Sequence, residues 1–120
     1  MSRTDVGSVA TRCLRAWTTG DFETTRALLN DDVTFVGPLG ASEGADGYVS
    51  GVRNFARLVK SAEVHTVIAD GDDVCVIYDL ITETPAGTIP TAGWYRIRGG
   101  KISAIRAFFD ARPFEQPQSA

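Results

Sequence analysis

The sequence is poor in the residues that most often carry chemistry. Only two of its 120 residues are cysteines, Cys13 and Cys75, one is histidine, His65, and one is methionine. Both cysteines stand inside apolar periodic segments and read as small buried hydrophobes, since a disulfide framework or thiolate metal site would need more of them. His65, in EVHTVIA, has no cysteine or carboxylate at metal spacing beside it, so neither a metal nor a cofactor is expected. Basic residues are outnumbered, 12 Lys and Arg against 15 Asp and Glu, and the net charge of −3 leaves no footprint for a phosphate backbone. Nucleic acid is therefore not an expected partner. No stretch approaches the roughly 18 apolar residues of a membrane helix. The opening MSRTDVGSVATRC lacks the apolar run of a secretory leader, so no membrane partner and a cytoplasmic location are expected. A nucleophile elbow, a phosphate-binding glycine loop and a zinc signature are all missing, which disfavours nucleotide chemistry.

What is present is an ordinary soluble composition, 43% hydrophobic and 22% charged. A chain of this length hides about two-thirds of its unfolded surface, enough for a core without staples. We read residues 1–120 as one domain, with 113–120 as a frayed, proline-containing tail. Val6, Val9, Ala10, Cys13, Leu14 and Trp17 keep helical spacing, with Thr4 as N-cap and Gly20 as stop. Asp21 can cap a second helix through Leu29, and Val33–Val36 reads as a first strand. GPLGASEGADG, from Gly37 to Gly47, reads as a loop able to rim a site. Tyr48, Val52, Phe55, Ala56 and Val59 predict a third helix ending near Lys60. Four β-rich runs follow, at 64–69, 74–84, 89–98 and 101–110, joined by turns short enough for antiparallel hairpins. Helices first and a meander afterwards predict an α+β fold, with the helices on one face of a curved sheet.

The run VCVIYDLIT is apolar on both faces, so both faces of its strand should be covered, by helices on one side and a second subunit on the other. Asp79 interrupts it, flanked at two residues' distance by Ile77 and Ile81. Such a carboxylate either pairs with a strand arginine, Arg96, Arg98 or Arg106, or sits in a cavity where burial raises its pKa. Were Tyr95 on the same interior face, a phenol and a carboxyl would share an apolar pocket. His65 reads either as a strand residue with one satisfied nitrogen or as a pocket acid or base. Asp110 reads as a turn or ion-pair residue.

The order of three helices and a long meander, with WTTGDFETTRALLNDDVTFVGPLG early and WYRIRGGKISAIRAFFDARPF late, resembles the nuclear transport factor 2-like superfamily in its SnoaL-like branch. The resemblance implies a cone-shaped half-barrel: three N-terminal helices packed on a strongly curved, mostly antiparallel sheet that encloses a pocket. It also implies a homodimer packed through the outer sheet face. Ketosteroid isomerase-like members carry a helix-one tyrosine, a general-base aspartate and a protonated acid at places that fall here on Cys13, Gly37 and Gly93, and none keeps the needed group. Limonene-epoxide-hydrolase-like members carry an Asp-Arg-Asp arrangement with a tyrosine and an asparagine. Here Asp79 remains, while the other places fall on Ile77, Ala107, Phe35 and Gly37. Neither catalytic set is retained.

Two functions stay open on this reading. One is a SnoaL-like enzyme of the isomerase, cyclase or hydrolase type acting on an apolar ligand. In it Asp79 is the acid or base, and Tyr95 and His65 orient the ligand's oxygen. The other is a non-catalytic binding or association module holding an apolar small molecule in the same pocket. The expected pocket wall comprises Cys13, Trp17, Phe35, Gly37, Phe55, Cys75, Ile77, Gly93, Ile97, Ala107 and Phe109.

Overall fold

A computed structural model of the chain describes residues 3–115. Helix α1 spans Arg3–Thr18 and buries the face carrying Val6, Val9, Ala10, Cys13, Leu14 and Trp17, so the helical spacing of these residues is what seats it on the sheet. Thr4 lies inside this helix rather than capping it. Gly20, at φ 85°, lets the chain turn back. Asp21 then caps α2 (Phe22–Ala27), accepting hydrogen bonds from the amide and hydroxyl of Thr24. The helix stops short of Leu29, which begins strand β1 (Leu29–Gly37).

The glycine-rich segment is not all loop. Gly40–Glu43 returns as strand β2, antiparallel to β1 through a turn at Pro38 and Leu39, and α3 follows at Ala45–Ala56. Strands β3 (Val59–Asp70), β4 (Asp73–Thr82), β5 (Thr88–Arg98) and β6 (Lys101–Phe108) complete one sheet in the order β2-β1-β6-β5-β4-β3. All neighbours are antiparallel except β1 and β6. The pairing shifts register within β3 at two places and again in β5 and β6, and such bulges bend strands and curl the sheet. Helices α1 and α3 fill the concave side, and the result is an open, curved α+β half-barrel. Part of the segment expected to fray is a short helix, α4 (Arg112–Glu115); residues 116–120 lie outside the described part. Among the described residues no helix is long and apolar enough to cross a membrane.

Side-chain alternation fixes which residues face the helices. On β4 the inward set is Val74, Val76, Tyr78, Leu80 and Thr82, all buried. Cys75, Ile77, Asp79 and Ile81 point to the convex face. No helix covers that face among the described residues, so the expectation that both faces of β4 are covered within the chain's surroundings rests on a partner. On β5 the inward set is Ile89, Thr91, Gly93, Tyr95 and Ile97. Asp79 and Tyr95 therefore stand on opposite faces of the sheet.

Candidate functional site

A cavity of ≈ 250 Å³ lies between α1, α3 and the concave face of the sheet. Its origin is a row of very small residues on an otherwise bulky face. Gly93 pairs with Ala107 across β5 and β6, and a Cβ on Gly37 of β1 would stand 3.7 Å from that of Ala107. The adjacent row, Phe35, Ile105 and Tyr95, is large. Two of its aromatic rings lean over the gap. A Cβ on Gly93 would meet the Tyr95 ring at 3.0 Å and its hydroxyl oxygen at 3.3 Å, and one on Gly37 would meet the end of the Phe35 ring at 2.8 Å. The glycines are therefore what let both rings lie flat against the sheet.

Trp17 from α1, Tyr48, Gly51, Val52 and Phe55 from α3, and Tyr78, Leu80 and Thr91 from the sheet form the remaining wall. The segment from Gly37 to Ser42 forms the rim, as a glycine-rich connection can. Aromatic pairs brace it: Phe35 with Tyr48 at 5.4 Å, Trp17 with Phe55 at 6.1 Å, and Phe114 of α4 with both Phe55 and Phe109 at 5.6 and 5.9 Å. These centroid separations and tilted rings are in the favourable range for edge contacts.

The polar groups of the wall are hydroxyls. Tyr48, Tyr78 and Tyr95 make no side-chain hydrogen bond to another described residue, and their oxygens are not sealed off from open space. Burial pushes all three phenols well above their ordinary value, so they stay protonated, neutral donors. All three line the same cavity. Thr91 donates its hydroxyl to the Ile89 carbonyl at 3.0 Å. Among the described residues, no Asp, Glu, His, Lys or Arg lines this cavity.

Several expected site residues lie elsewhere. Asp79 is on the convex face and its Oδ2 lies 2.8 Å from Nε2 of His65, which stands in the β3 bulge opposite Ile77. The side chains are 29% and 46% exposed respectively, so neither is enclosed. The carboxylate's partner is thus a histidine and not an arginine: Arg96 pairs with Asp73 and Arg98 with Asp32. Bonding to Asp79 raises the His65 pKa. Cys75 and Ile77 share the convex face with them, and Ile97 is buried in the core beyond the cavity wall. Cys13 is buried in the α1 face without reaching the wall, and burial pushes its thiol up to about 12. Asp110 is held by Arg112 at 2.7 Å and lowered to about 2 by that bond. The structure does bring together Trp17, Phe35, Gly37, Phe55, Gly93, Tyr95, Ala107 and Phe109. Sequence reasoning missed Tyr48 and Tyr78 as site residues; both occupy inward positions of their elements, and that periodicity was the signal available. Among the described residues no cluster of His, Cys, Asp or Glu could hold a metal ion.

A family model for SnoaL-like domains matches residues 10–111. None of the curated proteins matches the sequence. Among solved structures, the fold is similar to a protein from Kribbella flavida at 29% identity and TM-score 0.84, covering 91% of this chain and 89% of that one. It is also similar to an NTF2-like protein of unknown function from Cytophaga hutchinsonii, at 29% identity and TM-score 0.81, covering 92% and 95%. An LEH-like epoxide hydrolase from M. tuberculosis shares the fold at 24% identity and TM-score 0.78, covering 94% and 89%.

Proposed function

The chain belongs to the SnoaL-like domain family, and from that premise we propose that it is a binding domain holding a small, largely apolar molecule in the tyrosine-lined cavity. The observation that carries this reading is the make-up of the wall. It is apolar apart from neutral hydroxyls, and among the described residues it offers no group that could take or give a proton near neutral pH. A proton transfer needs an acid or base within hydrogen-bond reach of the reacting atom, and Asp79 is separated from the cavity by the thickness of the sheet. The enzymatic reading built on Asp79, Tyr95 and His65 as one constellation is accordingly set aside. The row of Gly37, Ala107 and Gly93 explains the exchange in physical terms. Those are places where the resemblance put polar catalytic groups, and their reduction to hydrogens and a methyl leaves ligand-sized space.

Binding of a hydrocarbon probe, isopropylnaphthalene, followed by calorimetry tests the reading. Ala107→Trp places an indole in the floor of the cavity and should abolish binding, whereas Asp79→Asn should leave the affinity within about twofold, as expected for a site with no shared contact. Loss of binding in Asp79→Asn with retention in Ala107→Trp would reverse the assignment.

We further propose a homodimer through the convex sheet face. Support comes from an apolar stripe running across four strands, with Ile68, Cys75 and Trp94 in one row over β3, β4 and β5 and Ile77, Ala92 and Phe108 in the next over β4, β5 and β6. Ile68, Trp94 and Phe108 are 57%, 41% and 51% exposed, a concentration of large hydrophobics that a monomer seldom leaves in water.

A further inference from the structure

The balance of hydrogen-bond donors and acceptors inside the cavity narrows what it can hold. The phenols of Tyr48, Tyr78 and Tyr95 come from three different elements and each presents a proton with no acceptor among the described residues. Thr91 has already given its own proton to the backbone. A molecule that expels water from this space without supplying an acceptor leaves buried donors unpaired, and that desolvation cost weighs more than an ordinary hydrogen bond gains. A site whose donors await a partner therefore discriminates against analogues lacking one.

The placement of Tyr95 concentrates these donors. In register it stands opposite Val74, two inward positions away from the row shared by Tyr78 and Thr91. Because Gly93 has no side chain, the Tyr95 ring lies along the strand over Gly93, and its hydroxyl is carried toward the Tyr78 row. The charge of the acceptor is also constrained. No cation lines the cavity among the described residues, so an anion would lose its hydration with no counter-charge in return. Size sets the body: an apolar cavity of about 150 Å³ accepts benzene, and the ≈ 250 Å³ here admits a mono- or bicyclic frame against the flat rings of Phe35 and Tyr95.

Resting on the reading of the cavity as a ligand site, we propose that its ligand is a neutral carbonyl compound on a flat mono- or bicyclic apolar body, with the carbonyl oxygen received by the hydroxyls of Tyr78 and Tyr95 and the ring edge near Tyr48. A carbonyl oxygen has two lone pairs and accepts two donors at once, which suits a cavity lined by both phenols, with the Tyr95 hydroxyl carried over Gly93 toward the Tyr78 row.

Titration calorimetry with acetonaphthone and with isopropylnaphthalene, a hydrocarbon of the same outline, tests this in the intact protein. The wild type should bind the ketone about tenfold more tightly than the hydrocarbon, the range of a buried hydrogen bond made or left unmade. Tyr78→Phe and Tyr95→Phe, which delete only hydroxyls, should bring that ratio toward unity. The carbonyl stretch of the bound ketone gives an independent readout: it should fall in wavenumber on binding to the wild type and fall less in each Phe variant. A hydrocarbon bound as tightly as the ketone would overturn the carbonyl inference and leave the apolar binding site standing. If the wild type binds neither probe, the binding reading fails and the inference falls with it.

Discussion

At the scale of single residues, Asp79 shows how far a charge's neighbours in sequence can mislead. Ile77 and Ile81 flank it two residues away on each side, and in a strand those are its companions on the same face. They surround it on the convex surface, not in the interior, and its own face is the one without Tyr78. Asp79, like Asp73 on the same strand, thus marks the wetter face, and that was legible from alternation alone. What alternation could not supply was the partner, because the bulge in β3 rotates His65 into reach of Asp79 and a bulge has no sequence signature here. The pair has a pH consequence. Asp79 favours the charged imidazolium, so the folded pKa of His65 is raised. Its contribution to stability is complete below the ordinary value of 6.5 and is lost as pH rises through the raised folded value. The melting temperature of the wild type should exceed that of His65→Gln by more at mildly acidic than at alkaline pH. An advantage that grows with pH would contradict the assignment of the pair.

Secondary-structure elements were read better than single contacts. The four strands of the meander and the two longer helices follow from periods of two and of three to four in the apolar residues, and their hairpin turns from Asp, Gly and Pro, although α3 ends at Ala56 and Val59, which the helical period had included, begins β3. The exceptions cluster where local pattern and tertiary pairing disagree. β1 begins at Leu29, through the polar Asn30-Asp31-Asp32, because it pairs in parallel with β6, a partner more than sixty residues away in the chain. β2 forms within a glycine-rich segment because it has an edge of β1 to pair with. Neither pairing is a local property. The sheet's convex face is the element that carries the dimer proposal. Trp94→Glu and Phe108→Glu each place a charge in the apolar stripe without touching the concave core. In sedimentation experiments both should shift a dimeric wild type to monomer, with a fold unchanged by circular dichroism. A wild type that sediments as a monomer at high concentration would remove the proposal.

For the whole molecule, the two faces of one sheet divide the work. The concave face, closed by α1 and α3, holds the core at one end and the cavity at the other. The boundary between them is set by where Gly37, Ala107 and Gly93 replace larger side chains. The curved fold was legible in the order of its elements, whereas the cavity and much of its wall were implied by the family resemblance, which put polar catalytic groups at the places of Gly37, Gly93 and Ala107. Of the three donors only Tyr95 was legible, because Tyr48 and Tyr78 read as ordinary core positions of a helix and a strand, and only the folded geometry shows that their hydroxyls meet no acceptor among the described residues. Isotope-filtered nuclear Overhauser spectroscopy on the labelled protein saturated with acetonaphthone places a ligand on one face or the other without mutation. Cross-peaks from the probe to Tyr78, Tyr95, Ala107 and Phe109 are the predicted result; cross-peaks to Ile68, Trp94 and Phe108, or to His65 beside Asp79, would contradict the assignment of the cavity as the functional site.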